Sequence, residues 1–450
     1  MLDWKKVFGV LILSFFVTSA WAQLAPEKLS PQQQYAFYLR EAARAYQADN
    51  TQDWVGATEK LHALKPFNQD FMTHLVQGYT KLGKTSEAFS MMLKMQQQGL
   101  AQNWDDFEEV APLREHSLYD HLNDLMIQAG QPFGEATTFA TLDPSIVMPE
   151  AMAIDTSTGR AFVGTIKEGK IHVRDPNSGN WSVFADSSTV PDLTAVFSLA
   201  VDSQRNVLWV SIGMVRQYQY FTSSSFGRTA LIKLDLETGE PLSTHRLVPD
   251  GRPHLFGSID LHSDGTVYAT DALNPLVYRL GPGEEHPSLF FGSRALGALR
   301  GLAIDEDRQK LYVADYEMGV VVLDLRSEGQ ARQLALPETL NLGGVEGLYF
   351  ADDFLVAIQS GISPNRVLRL QLGEDGLGVV SVTPVVAALE VFDGPSYGTV
   401  SESELYLYAN SHWAHVDADG RPLRRPLPNI EILKVDVTNT ELDAVGEAVR

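Results

Sequence analysis

Four charged residues of the 450-residue chain stand at equivalent points of a repeat: Glu150, Arg300, Glu346 and Asp393. Three carboxylates brought to one axis repel one another, and each loses hydration on burial. Something positive must balance them. Either a bound cation does so, or Arg300 does. Arginine is a permanent cation with five donors and no acceptor, so it pairs with carboxylates and ligates no metal. The two solutions differ in kind: a cation centre built on Glu150, Glu346 and Asp393, or a metal-free cluster in which Arg300 pairs with Glu150 and Glu346. Neighbouring loops add candidate channel or ligand-binding groups: His254, Asp271, Asn274, Asp315, Asn365, Asn410 and His412. Each also has a plain structural reading. Asp271 and Asp315 end strands, where an aspartate caps its own turn. The two histidines lie outside any metal-binding spacing.

The elements that must position these residues are strands. The segment from Ala298 to Leu325 shows three in succession: Gly301–Asp305, Leu311–Asp315 and Gly319–Leu325. Apolar runs of four to eight residues between polar turns mark strands buried on both faces. The first of these runs has six copies, starting at Glu150, Phe197, Gly257, Arg300, Glu346 and Asp393, with intervals of 47, 60, 43, 46 and 47 residues. Self-similarity near this period, with about four strands per unit, indicates a β-propeller. Six copies predict six blades. The long interval contains an insertion, Gly213–Arg228, rich in Tyr, Ser and Phe, which reads equally as a lid, a partner contact or ordinary loop packing. Asp155, Asp202 and Asp305 close first strands and are expected to cap the turns that follow. Thr137–Thr141 is expected to be the outer strand of the last blade, closing the ring. The alternative gives that place to Ile430–Val437.

Pro149-Glu150-Ala, Gly301–Asp305 with Leu311–Asp315, and Tyr268–Asp271 followed by Asn274 resemble motifs of the senescence-marker/gluconolactonase lactonases. Their paraoxonase and strictosidine-synthase relatives share the resemblance, which covers residues 133–437. It implies a six-bladed propeller with calcium or another divalent ion on its axis. That ion would be held by a Glu at the first strand start, an Asn in a later blade and an Asp after that. Glu150 matches the first and Glu346 falls at the third. Arg300 stands at the Asn position, a departure that would repel the ion. In a lactonase of this kind the ion polarises a carbonyl, and Glu346 or Asp393 activates water. A third arrangement would use Glu150, Asp393 and a loop Asp.

Ahead of the propeller, residues 32–130 carry apolar positions at helical spacing. Tyr79-Thr-Lys-Leu-Gly83 through Ala88 resembles the tetratricopeptide (TPR) pattern, with Tyr46 standing 33 residues before Tyr79. Two repeats are covered; Trp104–Met126, interrupted by Pro112, is expected to be a degenerate capping pair. A plain helical bundle is the rival reading. Met1–Ala22 has the form of a cleaved secretory signal: Lys5 and Lys6, an apolar core, and Ala20-Trp21-Ala22. The apolar run is shorter than a membrane span requires, against the reading as an uncleaved anchor. Residues 23–31 are expected to be a flexible lead-in and 438–450 a polar tail. There are no cysteines, which excludes disulfides, thiolate metal sites, a cysteine nucleophile and a lipid-anchored N-terminus. The net charge of −22 argues against nucleic acid and anionic membrane as partners.

The fold class expected is thus α + all-β, with TPR-like hairpins on residues 32–130 and a six-bladed propeller on 131–437. The expected role is a periplasmic or secreted scaffold. Its helices would take a protein or peptide partner, and its channel a small molecule. The alternative is a metal-dependent lactone or ester hydrolase using the axial carboxylates.

Overall fold

The computed structural model describes residues 28–327 and 329–438. The signal sequence, most of the lead-in and all of the tail but Thr438 fall outside them. Chain contacts divide the protein into two compact units, and the first comprises residues up to Gln131 with Glu338–Gly343 and Ile362–Pro364.

The helical unit opens at Pro31–Gln47. Ser30 caps it, its hydroxyl accepting from the Gln33 amide while the Gln33 side chain accepts from the Ser30 amide. Thr51–Leu64, Gln69–Lys81 and Thr85–Gln97 follow, each packed on the one before. Asn50 and Asn68 cap two of them through side-chain oxygens. Gly78 is required by close approach: a Cβ there would lie 2.4 Å from the Val55 Cγ2. The expected helical pair over Trp104–Met126 forms only in its second half. Its first half is two 3-10 turns, Trp104–Asp106 and Glu108–Leu113, with Pro112 inside the second. Proline supplies no amide for an α-helical bond there. Only Ser117–Gln128 is an α-helix. Among the described residues, no helix is long and apolar enough to cross a membrane.

The second unit is a propeller of six four-stranded antiparallel sheets. In each, the first strand of the copy is innermost: Pro149–Asp155, Ala195–Asp202, Phe256–Leu261, Leu299–Asp305, Val345–Ala351 and Gly398–Ser401. The second strands are almost wholly buried, as continuous apolar runs predict. Apolar side chains between adjacent blades make the core; Phe162, Val210 and Ile232 belong to one such layer. Each fully buried side chain of this size contributes about 1.5–3 kcal/mol. Thr137–Thr141 pairs with Glu431–Asp436 as the outermost strand of the sixth sheet, so the ring closes across the two ends of the domain. This is the first of the two closures expected, with residues 430–437 one place further in.

Candidate functional site

Five inner strands share one irregularity. Register shifts fall between Pro149 and Ala151, Val196 and Ser198, Phe256 and Ile259, Leu299 and Leu302, and Val345 and Gly347. The residues left out of the ladder are Glu150, Phe197, Gly257 with Ser258, Arg300 with Gly301, and Glu346. A bulge frees a side chain from the alternation of the strand and re-aims it. The repeat therefore delivers one or two unladdered residues per blade to one end of the channel.

The sixth position corrects the sequence alignment. Asp393 touches Asn410 only through an isolated bridge. Ladder pairing begins at Gly398, opposite Leu407, while the Ser396 amide donates to the Tyr408 carbonyl and the Tyr408 amide to the Tyr397 carbonyl. Tyr397 thus stands just ahead of the ladder of blade six, held by its carbonyl alone, at the place of the ring residue. Pro395 has no amide for a ladder, so the chain enters this strand later than in the other copies. Asp393 lies on the surface, its side chain 61% exposed, and its Oδ2 stands 2.9 Å from the His415 Nε2.

The ring residues form a compact cluster. The Arg300 Nε lies 3.1 Å from the Glu346 Oε2, and its guanidinium sits over the Tyr316 ring at 5.5 Å. Tyr397 donates its hydroxyl to the same Glu346 carboxylate. Glu150 accepts from the Trp413 indole nitrogen through Oε2 at 2.7 Å, and its other oxygen has no protein partner among the described residues. Burial is the leading influence on each acid. It pushes Glu150 up to about 7, with the neighbouring Glu346 adding to the shift and Trp413 opposing it. It also raises Glu346, against the pull of Arg300 and Tyr397. The Tyr397 hydroxyl is pushed well above its ordinary range, by burial first and Glu346 second.

Beside this cluster runs a channel cavity of about 330 Å³. Glu150, Phe197 and Tyr397 border it near the ring, and Thr156 and Ser203 at the strands' other end. Its polar wall holds Ser198, Ser258, Asp260 and Thr399, and no Lys, Arg or His lines it among the described residues. Asp260 accepts from the Ile304 amide at 2.9 Å, and burial raises it to about 6. Sequence reasoning passed over Asp260, although it is the polar residue of Gly257-Ser-Ile-Asp-Leu where the first, second and fourth copies have alanine. Trp413 carried no signal, since it reaches Glu150 across 263 residues.

The remaining sequence candidates have structural work. Asp315 takes the amides of Gly297 and Ala298 on one oxygen and of Glu317 and Met318 on the other. Asp271 takes the Leu255 and Leu273 amides, and also meets His254 at 2.6 Å and the Asn274 amide group at 2.9 Å. The second His254 nitrogen faces Asp250 at 2.9 Å. The His412 Nδ1 accepts from the Met148 amide, its Nε2 donates to the Pro428 carbonyl, and burial lowers its proton affinity. Asn410 holds Asn429 and Glu431, and Asn365 donates to the Ser360 carbonyl. None of these residues lines the channel cavity.

A resident divalent ion fits this donor set poorly. Among the described residues no group of three or more His, Cys, Asp or Glu is placed to hold one. Glu346 is engaged by a guanidinium and a hydroxyl, and Asp393 is off the ring. The arrangement can instead accept hydrogen bonds from a ligand and move a proton at Glu150 near neutral pH.

No family model and no curated protein sequence matches the chain. Among solved structures, the PQQ-bound aldose sugar dehydrogenase of Streptomyces coelicolor is similar at 16% identity, over 68% of this chain and 99% of its own, with a TM-score of 0.47. A gluconolactonase of Xanthomonas campestris is similar at 16% identity, over 69% and 93%, with a TM-score of 0.45. Regucalcin, a calcium-binding protein of Agrobacterium tumefaciens, gives 16% identity over 66% and 95%, with a TM-score of 0.45. These are likenesses of propeller fold at low identity, and the site stands on its own residues.

Proposed function

We propose that this is a secreted or periplasmic binding protein whose propeller channel takes a small molecule rich in hydrogen-bond donors, without a metal ion. The Arg300–Glu346 ion pair carries the reading, because it puts a permanent cation where the axial carboxylates would otherwise gather one. The walls support the ligand class. Glu150, Asp260 and hydroxyls offer acceptors, and among the described residues no cationic side chain lines the cavity to compete. Polyols and amines share this donor chemistry. The helical unit, with its stacked antiparallel pairs, is proposed to hold a protein or peptide partner.

Thermal melting tests the channel. Calcium should leave the melting temperature unchanged, whereas a bound polyol or amine at a hundredfold excess over its Kd should stabilise by about 2.7 kcal/mol. Arg300→Met, which frees Glu346 and disorders the rim, should abolish that gain. A melting temperature raised by calcium, together with chelator-sensitive lactone hydrolysis lost in Glu150→Gln, would overturn the reading. The second reading, a lactone or ester hydrolase, is favoured by one observation. The free oxygen of Glu150 belongs to an acid near 7, suited to proton transfer.

A further inference from the structure

Three loops at the ring end of the propeller are joined into one surface: residues 166–170, 214–228 and 411–428. Lys167 donates to the Asp419 carbonyl at 3.1 Å, Gln217 to the Ala418 carbonyl at 3.1 Å, and the Gln219 amide to the Lys167 carbonyl at 3.0 Å. Below these bonds Ile166, Val215, Tyr218 and Val416 are buried in one apolar cluster. The outer side is not apolar throughout, and its charge is opposite to that of the chain. The three loops carry seven Lys and Arg against three Asp and Glu, in a protein of net charge −22. Arg216, Arg424 and Arg425 are exposed and make no ion pair among the described residues. The same loops carry exposed apolar side chains: Tyr220 at 64%, Leu423 at 62% and Phe226 at 44%.

Exposed arginines carried with aromatic and aliphatic groups on joined loops have the composition of a protein-binding hot spot. Three prolines, Pro422, Pro426 and Pro428, restrict the longest loop, so less freedom is lost when a partner settles on it. Charge selects the occupant. An extended anionic surface, whether membrane or nucleic acid, would meet the net negative charge of the whole molecule. A short acidic segment meets only what lies within a Debye length, about 8–10 Å. We propose that this face docks a short acidic, apolar-containing segment of a protein partner. The inference concerns the outer face of the loops and stands independently of what the channel binds.

The test uses the full chain and a labelled peptide of alternating Glu and Leu, read by fluorescence anisotropy. Binding is expected at low salt, weakening as salt rises. The double variant Arg424→Glu/Arg425→Glu should bind about tenfold more weakly. Both side chains are exposed, so its fold should hold, which circular dichroism checks. Leu423→Ser should weaken binding by a smaller factor. The proposal is overturned if the wild type fails to bind the peptide, or if a Lys-for-Glu peptide binds equally. It is also overturned if the double variant binds as tightly as wild type, or if anionic vesicles bind where the peptide does not.

Discussion

The two ends of the inner strands behave differently. At the far end the repeat is chemically monotonous. Asp155 accepts from Ser157 and meets Arg160, Asp202 meets Arg205 at 2.9 Å, and Asp305 meets Arg308 at 2.8 Å. One residue type does one task three times, closing a turn and pinning an arginine. At the ring end the six equivalent positions hold Glu150, Phe197, Gly257 with Ser258, Arg300, Glu346 and Tyr397. The backbone irregularity recurs there while the side chains diverge. Where a repeat keeps its side chains, they serve the fold; where it keeps only its backbone, the side chains serve a site.

This contrast can be broken by experiment. The largest effect should come from the monotonous end. Asp305 is fully buried and accepts both the Arg308 amide and its guanidinium. Asp305→Ala should cost about 3 kcal/mol in urea unfolding, because the Arg308 amide and one guanidinium nitrogen lose their buried acceptor while Asp353 keeps the other. It should leave channel ligand affinity intact. A selective loss of affinity without loss of stability would reverse the assignment.

Next comes the pH profile of the ring. Glu150 holds its proton up to about 7 in the folded protein against an ordinary value of 4.5. The folded state therefore binds the proton more tightly than the unfolded chain does. Stability is highest below the unfolded value and falls as pH rises from about 4.5 through about 7. Glu150→Gln should remove on the order of 2–3 kcal/mol of that fall, seen in melts across the window. Asp260, raised from 3.8 to about 6, contributes its own decline in the lower part of the range and should persist in the variant. A profile unchanged by Glu150→Gln would show that burial does not act on this acid.

The smallest effect is expected at Asp393. Its pair with His415 is exposed on both sides. Asp393→Asn should change stability by no more than about 0.5 kcal/mol and leave channel binding unaltered. A large loss of function would return Asp393 to the site.

Much of this was legible in the chain itself. Periodic apolar strands gave the blade number, and the closing strand followed from the need to leave no open edge. Five of the six ring positions were found because each directly precedes an apolar run. The sixth was misplaced because Gly394 and Pro395 imitate the turn before a strand that starts later. The bulges themselves left no mark, since a bulge is a property of pairing between strands. Nor did the contact of Trp413 with Glu150, which depends on the path of a long loop. At the N-terminal side, Pro112 did signal an interruption, but not that the first half would wind into 3-10 turns.

The closing strand has a consequence in time. Thr137 and Lys434 are partners in the same sheet although 297 residues separate them. Contacts this distant in sequence are slow to form, because the chain must first lose the entropy of a very long loop. During synthesis the first five blades can assemble in order, but the sixth lacks its third strand until residues 431–436 emerge. Until then Thr137–Thr141 presents an unpaired edge at one end of an open arc. That edge is therefore open to mispairing from the moment it forms until the sixth blade closes on it.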